Sequence, residues 1–384
     1  MNVVFGSNVR LDAVASIIMG QSPPGETYNE RGEGLPFFQG KSEFGLRHPT
    51  PRKWCSAPVR IAESGDILVS VRAPVGPTNV ANTTCCIGRG LAAIRADQSR
   101  VIPEFLRFKM IEAESELARK GQGSTFQAIN RADLASVSFP LPPLSIQQQH
   151  VRNLSAAESI VRLRQEAERQ SAEMVASIFL EMFGDPLKNT MGWAVTSFGD
   201  FGDCRLGKML DKQKQTGLFQ KPYIRNINVQ WNSVDIDSIY TMDISPEEQE
   251  RFRLLSGDVL ICEGGDIGRA CIWTGEIDDC YYQKALHRLR PDLRVVKPDF
   301  VVWLLWYLSK SGALMGSSGH ATIPHLTGVQ LKSMQVICPD IEVQIKFEKR
   351  CQQVRSIQAL QAQATAKAQE LFGALLARTF SGKD

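Results

Sequence analysis

The 384-residue chain is 43% apolar and 22% charged, with a formal net charge of +3. That composition suits two or three globular domains and excludes whole-chain disorder or a collagen-like fibre. The longest apolar run, residues 300–308, falls far short of the roughly 20 residues a membrane-spanning helix needs.

In chain order, the first stretch, residues 1–144, is broken by Gly and Pro into short runs. Its opening, MNVVFGSNVR, has no basic head followed by an apolar core, so a cytoplasmic protein with no membrane attachment is expected. IAESGDILVSV reads as a strand entered through a Gly-Asp turn, and residues 104–119 read as a helix started by Pro103. Residues 145–183 contain neither Pro nor Gly and read as one long helix. Residues 184–341 return to the broken texture, with a strand in SGDVLIC and a helix over 300–308 after Pro298. Residues 342–384 close the chain with a second long helix.

This alternation is an internal repeat. Residues 134–183 align without gaps on residues 331–380 at a constant offset of 197, with identities at Leu134/Leu331, Pro142/Pro339, Gln147/Gln344, Ala167/Ala364 and Phe183/Phe380. Upstream, GDILVSVRAPVG faces GDVLICEGGDIG at offset 192, LPFFQG faces KPYIRN at 186, and Gly20 faces Gly207 at 187. Loop insertions between two copies of one module produce such a drifting offset.

Apolar residues at Ala157, Ile160, Leu163, Ala167, Met174 and Ile178 trace one stripe along the first long helix. Val354, Ile357, Leu360, Ala364, Ala368, Leu371 and Leu375 do the same on the second, and only Ser171 interrupts the pattern. At 1.5 Å per residue each helix is about 55 Å long. The expected architecture is therefore α+β: two heads with mixed, mostly antiparallel sheets, separated by two long antiparallel helices packed as a coiled-coil pair along these stripes, with pseudo-twofold symmetry. The alternative is that each helix packs only on its own head.

Nine cysteines without a CxxC pair or zinc-finger spacing predict reduced, mostly buried thiols and no metal site. Glu263 and Asp266 lack a third carboxylate or a His nearby, and His320 and His325 read as polar contacts rather than ligands. There is no GxSxG, HExxH, P-loop or methyltransferase cofactor loop, so no catalysis by this chain is expected. Head charges are +3 for residues 1–146 and −3 for residues 184–343, so whole-domain electrostatics names no partner. Locally, Lys41, Arg47, Arg52, Lys53 and Arg60 cluster in one head, and Arg205, Lys208, Lys212, Lys214, Lys221 and Arg225 in the other. Amides and aromatics are interspersed among them, which is the chemistry that clamps phosphates and reads base edges.

The chain resembles the specificity subunit of type I restriction-modification enzymes. The order of head, long helix, head, long helix carries the likeness. So do GQSPPGETYNERGEGLPFFQG, GDILVSVRAPVG, CIGRGLAAIRA, LPPLSIQQQ, EMFGD, KPYIRNINVQW, GDVLICEGGDIGRACIW and YYQKALHRLRP. The resemblance implies two target-recognition domains, each reading half of a bipartite double-stranded DNA target, with the helices setting the unread spacer. It implies two methyltransferase subunits docked around the helices and motor-nuclease subunits completing the complex. S-adenosylmethionine, ATP and Mg would then reside on those partners, with no cofactor on this chain. A recognition subunit serving a fused methyltransferase-nuclease, or a protein scaffold that binds no DNA, remains the alternative. The candidate DNA contacts are Gln21, Ser22, Gln39, Lys41, Arg47, Arg72, Asn79 and Arg89 in the first head. In the second they are Lys208, Lys214, Arg225, Asn226, Asn228, Arg269, Lys284 and His287.

Overall fold

The computed structural model describes residues 7–121, 128–211, 215–314 and 325–381. Internal contacts divide the chain into a first unit, residues 1–166 with 362–384, and a second, residues 167–361. Both divisions fall inside the long helices, so each unit is a head plus a segment of each helix.

The first unit contains a four-stranded antiparallel sheet ordered Ala15–Met19, Leu91–Ala96, Ile67–Ser70, Thr78–Val80. A five-stranded mixed sheet beside it contains a parallel pair, Leu35–Phe38 with Cys85–Ile87. The second unit repeats this plan. Its four-stranded sheet runs Gly202–Leu206, Leu286–Pro291, Val259–Cys262, Ala270–Ile272, and its three-stranded sheet pairs Gln220–Ile224 in parallel with Tyr281–Tyr282.

The Gly-Asp strands sit at the centre of both copies because both of their faces are covered. Successive side chains point to opposite faces of a strand. Ile67 and Val69 enter one core while Leu68 joins Phe38 and Leu91 in another. Val259 and Ile261 likewise divide from Leu260 and Cys262. The Asp of each motif is buried and paired bidentately with an Arg on the neighbouring strand. Asp66 accepts from Arg95 at 2.9 and 2.8 Å, and Asp258 accepts from Arg290 at 2.8 Å twice. The anticipated helix over 104–119 is two helices, Pro103–Glu112 and Glu114–Lys120, meeting at Ala113. Its counterpart after Pro298 runs unbroken over Pro298–Lys310. All nine cysteines are free, and burial pushes several thiols up, Cys85 to about 12.

The long helices are Leu144–Phe183 and Ile341–Phe380. A buried Gln clamps each to its head. Gln147 accepts from the Ile102 amide at 2.9 Å and donates to the Arg100 and Pro142 carbonyls at 3.0 and 2.8 Å. Gln344 makes the same three bonds, to Lys297, Val295 and Pro339, at 2.9, 3.2 and 2.8 Å. A second anchor inverts its charges between copies. In the first unit the buried Arg107 bridges Glu104 and Glu158 on the long helix. In the second the buried Asp299 takes both arms of Arg355, at 2.6 and 3.0 Å, and Arg355 aligns with Glu158 at the helix offset of 197.

The helices run antiparallel within each unit. In the second, Phe179 and Phe183 pack edge-on against Phe347, and Gln358 donates to the Ser171 carbonyl at 2.9 Å. In the first, Phe105 touches both His150 and Phe380, while Leu154, Leu376 and Phe380 share one core. The expected packing stripe needs correction, because the seam lies roughly a third of a turn away from it. The buried positions are Gln147, Leu154, Ser171, Val175, Phe179 and Phe183 on the first helix and Gln344, Phe347, Cys351, Val354, Thr365, Leu376 and Phe380 on the second. Of the expected set only Val354 is buried, while Ala157, Ala167, Ile178, Ala364, Ala368 and Leu375 are half-buried. Ile160, Leu163, Met174, Ile357, Leu360 and Leu371 are exposed, Leu360 to 66%. Regular spacing alone favours the aliphatic stripe, but the larger aromatic rings beside it exclude more water and take the seam.

Gln344→Leu should destabilise the protein by at least about 2 kcal/mol, because it strands a buried amide and two carbonyls. Leu360→Ala should change stability by no more than about 0.5 kcal/mol. Urea unfolding of the two variants checks the contrast.

Candidate nucleic-acid interface

At one end of each four-stranded sheet, several chain segments are laced together by the same backbone bonds. In the first unit Gly20 N donates to Leu91 O at 2.9 Å, Gln21 N to Ile87 O at 3.0 Å, Gly88 N to Phe38 O at 2.8 Å and Val71 N to Gly90 O at 2.9 Å. In the second, Gly207 N donates to Leu286 O at 2.9 Å, Lys208 N to Tyr282 O at 3.1 Å, Gln283 N to Ile224 O at 3.0 Å and Glu263 N to Ala285 O at 3.0 Å. The aligned glycines explain the close approach. A Cβ at Gly20 would lie 2.1 Å from Gly88 O, and one at Gly207 would lie 2.4 Å from Gln283 O, so only hydrogen fits at either position.

This lacing brings together Gln21, Ser22, Gln39, Arg72 and Arg89 in the first head, and Lys208, Arg225, Asn226 and Lys284 in the second. Arg89 and Lys284 occupy the same position in the repeated turn, and both are exposed with no side-chain hydrogen bond among the described residues. Gln21, Gln39 and Arg72 are exposed as well, and Ser22 is half-buried. Lys41 is exposed on the 3-10 turn Lys41–Glu43, just beyond Gln39.

Other candidates have structural partners. Arg47 lies away from the cluster, 2.8 Å from Glu104 and 3.8 Å from Glu158 on the long helix. Asn79 is buried and donates to Gly45 O at 2.9 Å, which pins the loop that carries Arg47. Asn228 is buried and holds its own loop, accepting from Arg225 N at 3.0 Å and donating to Asp235 O and Ser238 O at 2.9 and 3.3 Å. His287 is fully buried on its strand. Burial pushes its imidazole below the ordinary value, and its neutral ring donates from Nε2 to Leu326 O at 2.9 Å. These three cannot reach a base edge as they stand, because polar residues in a strand or turn carry the same sequence signal whether they face the core or the solvent.

Arg269 donates to Asn226 O at 3.1 Å, and Asn226 Nδ2 donates to Gly264 O at 2.9 Å. The Arg225 guanidinium lies 3.8 Å over the Tyr240 ring and donates to Ser238 O at 3.0 Å. Lys208 is ion-paired with Glu248, which holds the Glu248 carboxyl below the usual range against the opposing effect of burial. Lys214 and His320 lie outside the described residues, and His325 is exposed. Asp266 accepts from Trp231 Nε1 at 3.2 Å, and no group of three or more potential metal ligands occurs among the described residues. No helix among them is long and apolar enough to cross a membrane.

Sequence reasoning missed Glu248, which sits 40 positions from Lys208. It also missed the exposed apolar residues Met209 and Ile227, which a search for cations and amides passes over.

The profile of the type I restriction modification DNA specificity domain matches residues 8–173 and again 191–369. A type I restriction enzyme MjaX specificity subunit from Methanocaldococcus jannaschii is 41% identical over 154 residues, covering 40% of this chain. The chain spans 36% of that relative's length. Two solved structures share the fold over nearly the whole chain. One, from a study of complex assembly and conformational transition in a type I restriction-modification system, has a TM-score of 0.66 at 20% identity, covering 98% of this chain and 97% of its own. The other, a type I restriction-modification S subunit from M. genitalium, has a TM-score of 0.52 at 16% identity, covering 99% and 97%.

Asn228→Ala should lower stability by about 1–3 kcal/mol, because three bonded backbone groups lose their partner. Lys284→Ala should leave the thermal midpoint unchanged. Calorimetry on both variants separates the residue that builds the turn from the one that the turn displays.

Proposed function

Because the chain belongs to the type I restriction modification DNA specificity family, we propose that it is the sequence-reading subunit of such an enzyme. Each head grips one half of a bipartite duplex target. The observation that carries this reading is the pair of exposed cations, Arg89 and Lys284, at the same place in a duplicated loop cluster. A cation with no side-chain bond among the described residues can neutralise a phosphate, and the neighbouring amides and guanidinium groups can address base edges.

The long helices supply the second half of the proposal. A face bearing Ile160, Leu163 and Leu371 in one unit, and Met174, Ile357 and Leu360 in the other, is apolar, exposed and distinct from the seam. Exposed aliphatic groups repeated at helical spacing favour covering by other helices. Methyltransferase subunits are the partners we assign to this face, with motor-nuclease subunits completing the assembly. The chemistry is theirs: S-adenosylmethionine, ATP and Mg belong to those subunits, and this cytoplasmic chain contributes position without catalysing a step.

Binding of random and genomic duplexes by the purified complex with its methyltransferase subunit tests the function, and a complex that binds no DNA overturns it. Lys284→Ala should weaken binding and reduce the slope of log affinity against log salt by about 1, whatever the sequence. Deleting one turn at aligned positions of both long helices should change the gap in the methylated target and leave both half-sites unaltered. Mapping methylated adenines in host DNA reads out that result.

A further inference from the structure

Where the strand Gln220–Ile224 ends, the 3-10 turn Asn226–Asn228 is fixed from several sides. Asn228 bonds three backbone groups, Asn226 holds Gly264 and is held by Arg269, and Arg225 is stacked on Tyr240. Gln230 Nε2 donates to the Ile227 carbonyl at 2.9 Å. The polar side chains of this turn are therefore committed inward, and the one presented to solvent is Ile227, 65% exposed. It projects from the end of the strand that is laced to the Lys284 turn. In the first head the corresponding turn, Lys41–Glu43, carries Lys41 and Ser42 and no apolar side chain.

An aliphatic group fixed in this way beside the exposed Lys284 turn is placed to pack against an apolar group of a bound duplex. The bases offer one in the major groove, the C5 methyl of thymine. We propose that Ile227 is a specificity-determining residue that packs on a thymine methyl in the half-site read by the second head. This rests on the sequence-reading function proposed above.

The test uses the complex of this chain with its methyltransferase subunit and a duplex carrying the mapped target. Each thymine is replaced in turn by deoxyuridine, which lacks only that methyl. One substitution in the second half-site should weaken wild-type binding about 4-fold, the effect of one buried methyl. Ile227→Ala should bind the thymine and uracil duplexes alike, while Ile227→Val should keep most of the discrimination. Intact binding with the same uracil response in wild type and Ile227→Ala overturns the assignment, as does a second half-site with no thymine on either strand. A complex that binds no duplex at all overturns the sequence-reading function, and this assignment falls with it.

Discussion

The buried side-chain amide at the start of each long helix is the constraint on which the rest depends. Gln147 and Gln344 each use one oxygen and one nitrogen to satisfy three backbone groups: an amide and a carbonyl in the loop before a head helix, and the carbonyl of a Pro just ahead of the long helix. In an interior that excludes water, no rotation of the head against its helix preserves all three bonds. The bidentate Asp–Arg pairs at the central strands and the aromatic seam then build outward from a head whose orientation is already fixed.

Both copies follow the same division of labour at the sheet end. Backbone atoms make the repeated bonds, and small residues such as Gly20 and Gly207 allow the segments to touch. Side chains are consequently free to diverge without loss of the frame. Gln21 in one head aligns with Lys208 in the other, and Gln39 with Arg225, while the bonds beneath them are unchanged. A scaffold made by main chain can thus present different chemistry on each copy at little cost to folding.

Much of this was legible in the sequence, for identifiable reasons. The repeat was visible because Gly20, Gln147 and the Gly-Asp turns have aligned counterparts that the fold uses in the same way. The helices were visible because long stretches without Pro or Gly have few alternatives. What could not be read was which way a face points. Ile160 and Leu360 lie on a regular stripe, yet Phe179, Phe183 and Phe347 are buried instead, since periodicity fixes angular spacing and leaves its phase to the packing partner. At the sheet end the difficulty was similar. His287 and Asn228 are polar and near the right landmarks, but bonds to distant backbone groups hold them inside. The tie between Lys208 and Glu248 likewise depends on a contact that no local pattern encodes.

The inverted anchors have a bearing on how such a gene can evolve. Recombination that replaces a head by another suited to the same slot keeps the pairing with the helix intact. Moving the second head into the first slot would set Asp299 against Glu158, leaving two carboxylates facing each other with no guanidinium between them. Leaving the buried Asp299 without its cation costs about 3–5 kcal/mol, a large share of the roughly 5–15 kcal/mol margin of a folded domain. The two slots are keyed, so shuffling can diversify the heads at each position while exchange between positions is penalised at the level of folding.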